Sequence, residues 1–383
     1  MNKSSSSRKV LRSCRRVLIK IGSQALSTGQ GLNNRMIERL CDELSLLRDE
    51  GREFALVSSG AIAEGRAIMR FAENGINLSK KQALAAIGQG SLIRAYTDSF
   101  RRYGYTAAQI LITREDLDDR HRYLNIRNTF TALFELGAIP IINENDTVSV
   151  DEIQFTDNDM LSAMIIPLVE PQALVILTDI DGVYAEDPRT NPDAQLLTEI
   201  RDLKAKDIKA HSGEAGSLGR GGMRSKLMAA YHASMLGIPT VITSAYKPQV
   251  ISSVLEGKET GTFVHPRSRG RLPQKDHWIS YVTRPKGRVV VDHGAAAAIV
   301  GSGKSLLPCG VVDIEGTFKA GDPIEIKEDG GDVIAVGLSN FTTDEVFRIK
   351  GANTSQVCSI LEKECDEEVV HRNNMILRKD SGQ

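Results

Sequence analysis

One stretch of the chain has the composition of a phosphate cradle. Leu218-Gly-Arg-Gly-Gly-Met-Arg-Ser-Lys226 stands immediately before a run with helical spacing. Glycines let backbone N–H groups approach phosphate oxygens closely, and a helix N-terminus adds a favourable dipole. Lys226 would then bring a mobile point charge to a transferring phosphoryl group. Taken alone, such a loop reads equally well as a glycine-rich surface turn whose lysine is solvated.

In an open parallel sheet, ligands bind beyond the carboxyl ends of the strands, so the residues after each β-branched run carry the next signal. Val17-Leu-Ile-Lys-Ile21 contains Lys20 and runs into Gly22-Ser23, and Phe54-Ala-Leu-Val57 runs into Ser58-Ser59-Gly60. The run ending at Ile142 opens into Asn143-Glu-Asn-Asp146, and the one ending at Leu177 opens into Thr178-Asp179. Any one of these is explained by an ordinary polar turn; together they point to one shared site. Asp157-Asn-Asp159 precedes a further helical run and, by itself, reads as an N-cap cluster.

The elements that must hold these residues alternate between strand and helix. Met36, Ile37, Leu40, Leu44 and Leu47 recur at helical spacing behind Asn33 or Asn34 as N-cap, and Gly51 stops the run. Helices near 80–102, 121–136, 159–169 and 223–236 alternate with strands at Ala108–Ile112, Ile139–Ile142, Leu174–Leu177 and Thr240–Ile242. Such spacing implies right-handed crossovers and a three-layer α/β sandwich with a mostly parallel sheet. From His265 to Arg288 seven Lys/Arg stand against one acid, Asp276, and beyond them short strands separated by Gly and Asp suggest a small barrel-like β module. The expected organisation is a basic flexible extension at 1–15, an α/β catalytic domain at 16–264 and a linker at 265–279. A β-rich domain at 280–361 and a partly ordered tail at 362–383 complete it.

Composition excludes several classes. With 383 residues, more than one domain is the default, and 41% hydrophobic with 25% charged residues is globular. Lys+Arg 48 against Asp+Glu 49 provides no global field for nucleic acid. No apolar run approaches the roughly 20 residues of a membrane-spanning helix. The N-terminal segment lacks the apolar core of a secretory signal. Five cysteines without a CxxC pair fit reduced thiols, and the seven histidines show no metal-ligand spacing. The expectation is a soluble cytoplasmic protein that meets a metal only through a substrate. Gly301-Ser-Gly-Lys-Ser305 lacks the first P-loop glycine, because Ala298 stands there, and reads as a β-domain turn. No GxGxxG follows a strand, Ser58 and Ser59 lack a His–Asp partner pattern, and Met223, Met228 and Met235 read as core.

These segments, in this order, resemble the amino acid kinase family, and Asn143-Glu-Asn-Asp-Thr-Val148 with the Gly-Gly-Met loop resembles its glutamate branch. Residues 280–361 look like a PUA domain. The resemblance implies ATP-dependent phosphorylation of the γ-carboxylate of L-glutamate to L-glutamyl 5-phosphate, the step that opens proline biosynthesis. It implies that Lys20 and Lys226 contact the phosphates and that Asp159 orients both lysines. Lys20, Thr178, Asp179 and Arg220, Gly221, Gly222, Met223, Arg224, Ser225 and Lys226 would line the ATP site, and Ser59, Asp146 and Asn158 would hold glutamate. ATP enters with Mg²⁺ bridging its phosphates; no dedicated metal site is expected. Feedback inhibition by proline, homo-oligomerisation and hand-over of the acyl phosphate to a glutamyl phosphate reductase are further implications. Arg220 and Arg224 depart from the family loop, where small or uncharged residues are common, and add positive charge beside the phosphates. Two alternatives stand beside this reading: a same-fold kinase for aspartate or N-acetylglutamate, and an RNA-binding protein acting through the β domain. The second is disfavoured by near-zero net charge and few aromatics for base stacking.

Overall fold

The structure is a computed structural model and describes residues 7–71, 77–149, 157–188, 190–205, 208, 222–267, 273–279, 283–363 and 366–378. The described residues fall into two compact units, the first reaching Arg271 and the second running from Leu272, with residues 118–120 assigned to the second.

The first unit is organised by β1 (Arg16–Ile21), a run of Val, Leu and Ile interrupted by Lys20, with its last five residues buried. Burial on both faces is what a parallel sheet between two helical layers demands. A short hairpin of β2 (Ser27–Thr28) and β3 (Gly31–Leu32) follows β1. The main sheet places β4 (Glu53–Ser58) and β7 (Ala173–Thr178) on either side of β1. Beyond β4 lie β6 (Ile139–Glu144) and β5 (Ala107–Ile112); beyond β7 lie β9 (Thr240–Ser244), β10 (Thr262–Val264) and β8 (Glu199–Ile200). Only the β9–β10 pairing is antiparallel. The carboxyl ends of β1, β4, β6 and β7 are therefore side by side, which gathers four polar strand ends into one place.

Helices form where the apolar spacing predicts them. Asn33 caps helix Asn34–Asp49, accepting from the Met36 amide at 3.2 Å, and Met36, Ile37, Leu40, Leu44 and Leu47 are buried. Helix Leu78–Arg101 crosses helix Ala61–Ile68 at two glycines: a Cβ on Gly88 would stand 1.9 Å from Ala61 O, and one on Gly65 1.9 Å from Leu84 O. Only glycine permits that approach. Of the three methionines read as core, Met235 is buried, while Met223 and Met228 are half-buried.

The described residues before β1 are not free. Arg8–Ser13 form a 3₁₀ turn, and Arg8 is buried. Its guanidinium donates to Thr198 O at 2.7 Å, Thr260 O at 2.8 Å, Gly261 O at 2.9 Å and Lys258 O at 3.2 Å. The basic extension is thus tied down from Arg8 onward, one guanidinium donating to four backbone carbonyls.

In the second unit, β11 (Gly287–Val291), β12 (Val311–Gly316), β13 (Pro323–Glu328), β14 (Val333–Leu338) and β15 (Met375–Leu377) form one sheet in the order β12-β11-β13-β14-β15. β11 and β13 are parallel and the other pairs antiparallel. Three expectations change here. Gly301–Ser305 is no β turn: it ends helix His293–Ser302, with Gly303 as the left-handed C-cap. The tail supplies β15 and the buried Val369 and Val370. The segment read as linker contains helix Gln274–His277 and the buried Trp278 and Ile279. Cys14, Cys41 and Cys309 are free, whereas Cys358 is disulfide-bonded, so the reading of uniformly reduced thiols does not hold.

Candidate active site

Two lysines converge on one carboxylate. Lys20, projecting from β1, places Nζ 2.5 Å from Asp159 Oδ1, and Lys226, in helix Met223–Met235, places Nζ 3.2 Å from Asp159 Oδ2. All three side chains are buried. Asp159 sits in the first turn of helix Asn158–Met164, which Asp157 caps by accepting from the amides of Asp159 at 2.9 Å and Met160 at 3.1 Å. Burial pushes the Lys20 ammonium below its ordinary value, opposed by the charge of Asp159. Burial, and then the charge of Asp159, push the Asp157 carboxyl up. The Asp157 carboxylate also acts on Lys20 from the same helix start, so two acidic residues face the Lys20 ammonium. Gly22 follows the strand, and a Cβ there would meet both Lys20 Nζ and Leu177 O at 3.6 Å, in ordinary contact.

A neutral cluster adjoins the charged one. Asn158 Nδ2 donates to Ser59 Oγ at 2.8 Å and to Asn143 Oδ1 at 3.0 Å, joining the ends of β4 and β6 to the head of helix Asn158–Met164. Ser59 leads through Gly60, whose φ of 113° only glycine adopts without strain, into helix Ala61–Ile68. Beneath it, Ser58 Oγ and Tyr96 Oη are 3.0 Å apart in a buried hydrogen bond. Asp146 lies half-buried in the turn after β6.

At the end of β7, Thr178 Oγ1 donates to Asp179 Oδ1 at 2.9 Å, and the Gln24 amide, turned by 180° about its last torsion to face donor to acceptor, donates its nitrogen to Asp179 at 2.7 and 3.0 Å. Gly222 is the N-cap of helix Met223–Met235, Arg224 is exposed, and Met223 and Ser225 are half-buried. Arg220 and Gly221 lie outside the described residues.

The structure therefore brings together Lys20, Lys226 and Asp159, joins Ser59 to Asn158, and pairs Thr178 with Asp179. Asn143, Gln89 and Gln24 were not singled out by residue-level reading, although Asn143 opens the segment that carried the glutamate-branch signal. Gln89 and Gln24 had no signal of their own, one being an isolated amide in a helical run and the other in the loop after the first strand.

Comparison with known proteins fits this geometry. The amino acid kinase family model matches residues 15–244, and the PUA domain model matches residues 287–361. A glutamate 5-kinase of Nitratidesulfovibrio vulgaris is 44% identical over 367 residues, covering 96% of each chain. One of Trichlorobacter lovleyi is 43% identical over 97% of this chain and 98% of its own. One of Thermus thermophilus is 42% identical over 96% of this chain and 99% of its own. Among solved structures, a UMP kinase from Bacillus anthracis aligns at a TM-score of 0.49 with 17% identity, covering 67% of this chain and 97% of that one. With near-complete coverage at such identity, the chain belongs to the amino acid kinase family and, within it, to the glutamate 5-kinases.

Proposed function

We propose that the chain transfers the γ-phosphoryl group of ATP to the γ-carboxylate of L-glutamate, releasing ADP and L-glutamyl 5-phosphate, the first step of proline biosynthesis. The observation that carries this reading is the buried Lys20–Asp159–Lys226 cluster beside the uncharged Ser59–Asn158–Asn143 cluster. The acceptor carboxylate is already ionised at neutral pH, so no general base is required. What the protein must supply is alignment and neutralisation of charge on the transferring phosphoryl group. Lys20 and Lys226 neutralise that charge, and Asp159 holds their ammonium groups in place before substrate arrives. Thr178, Asp179 and the loop ending at Lys226 line the nucleotide side; Ser59, Asn158 and Asp146 hold glutamate, with Asp146 charged to suit its α-ammonium.

Mg²⁺ enters as part of the nucleotide substrate, keeping most of its waters; among the described residues no group of three His, Cys, Asp or Glu side chains could hold a metal. No helix among the described residues is long and apolar enough to cross a membrane. We assign the activity to the cytoplasm, where ATP and glutamate are available, and extend to this chain assembly into homo-oligomers, inhibition by proline and delivery of the unstable acyl phosphate to a reductase. The test is ADP release with L-glutamate, ATP and Mg²⁺ while hydroxylamine traps the product, with aspartate, N-acetylglutamate and UMP run alongside. Glutamyl hydroxamate formed only with glutamate supports the reading; turnover of another acid alone would overturn it.

A further inference from the structure

The neutral half of the site is a chain of amides, and an amide has a donor end and an acceptor end. Asn158 Nδ2 donates to Ser59 Oγ, to Asn143 Oδ1 and, at 3.3 Å, to Ser58 O. The donor end of Asn158 is thereby spent, and Oδ1, which accepts from no described residue, is the end offered to a ligand. Asn143 can present Oδ1 to Asn158 only with its own Nδ2 turned the other way, and there Nδ2 donates to Gln89 Oε1 at 2.9 Å. Gln89 is held for this task. Its neighbour Gly88 seats helix Leu78–Arg101 against Ala61 O, two residues beyond Ser59. Seven residues earlier on the same helix, Gln82 Nε2 donates to Ser149 O at 2.9 Å and secures the far end of the loop after β6.

We infer that Gln89 is a positioning residue for the acceptor substrate: by accepting from Asn143 it sets the direction of both asparagine amides and so offers Asn158 Oδ1 to the substrate's ammonium. The inference rests on the glutamate reading above and deepens it. Glutamate at neutral pH has two carboxylates, which only accept, and one α-ammonium, which only donates. An outward-facing Oδ1 therefore selects the ammonium end and leaves the γ-carboxylate to the lysines. Reversed, the same asparagine would offer Nδ2 and favour a carboxylate in its place. Ser58 O, an acceptor only, sets the same direction from the other end through the longest of the three bonds, so Gln89 is the adjustable control.

The test measures KM for L-glutamate against the inhibition constant of glutarate, which is glutamate without its amino group, in the wild type and in Gln89→Glu, Gln89→Met and Gln89→Lys. Glu at 89 only accepts, so the preference for glutamate over glutarate should persist. Met accepts nothing, and the preference should fall several-fold. Lys only donates, turns Asn143 around, and should reduce the preference by roughly ten- to hundredfold, the worth of a hydrogen bond to a charged group. Thermal melts confirm that each variant is folded. If Met matched the wild type while Glu and Lys moved in opposite directions, a through-space charge effect would replace the inference. A ratio equal in all four proteins would also overturn it. A wild type that forms no glutamyl hydroxamate would overturn the glutamate reading itself, and this inference with it.

Discussion

Asn158 and Asp159 are adjacent in the chain, yet each anchors a cluster built from different groups. Around Asp159 the protein buries two lysines against one carboxylate, at 2.5 and 3.2 Å. Around Asn158 it uses hydroxyls, amides and a backbone carbonyl. Burying charges is costly, and a buried ion cluster is weak evidence for stability. The Asp159 cluster is better understood as preorganised charge, held where negative charge moves during phosphoryl transfer, and such groups act on the transition state. The Asn158 cluster changes no charge; on the proposed reading its task is to discriminate, because a hydrogen-bonding site left unpaired by the wrong substrate is penalised. On that proposal, the turn of a single helix start separates acceleration from selection.

That division can be broken most forcefully at the lysines. Lys226→Ala should lower kcat by roughly 100- to 1000-fold, the range for removing one preorganised donor at a transition state, with KM for glutamate little changed; steady-state ADP release checks both. A variant whose KM rose instead would place Lys226 among the selecting residues. The helix bearing Lys226 allows a second challenge through pH. His232, fully buried on that helix, is pushed down to about 4 by burial, with the charge of Arg114 adding to it. Its folded value lies below its unfolded one, so its contribution to stability is intact above about pH 6.5 and is lost as pH falls towards 4, up to about 3 kcal/mol. Melting temperatures from pH 7 to 4.5 should fall less steeply in His232→Leu than in the wild type; equal slopes would mean that the histidine is not held neutral.

On the neutral side, Asn158→Ala should raise KM for glutamate by roughly 10- to 100-fold, as expected for a lost hydrogen bond to a charged group, while kcat changes far less. Ser59→Ala, removing one neutral partner of Asn158, should raise KM only about two- to tenfold. A larger effect for Ser59 than for Asn158, in the same titration, would show that the hydroxyl and not the amide meets the substrate.

Most of this site was legible in the sequence because each charged or polar residue interrupts a pattern. Lys20 stands out as a charge within an apolar run, Thr178 follows such a run directly, and Ser59 and Asp146 stand in the polar segments that open after two others. Asp157–Asp159 and Lys226 open helices, where polar residues carry capping or anion-binding signals. Gln89 and Gln82 carried no such mark, since glutamines inside a helical pattern look like a solvated face until the glycine crossing brings that face against the β6 loop. Arg8 was read with the basic extension, because its four carbonyl partners lie about 190 to 250 residues away in the chain. Strand β15 was missed for a simpler reason: three residues are too short a run to register an alternation.

The most direct test of the division is a double-mutant cycle on kcat/KM for L-glutamate with Lys226→Ala and Asn158→Ala. If one cluster accelerates and the other selects, the fold-losses multiply in the double variant to within about threefold. A double variant no worse than Lys226→Ala alone would show that the two clusters act as a single unit, contradicting the division drawn between Asn158 and Asp159.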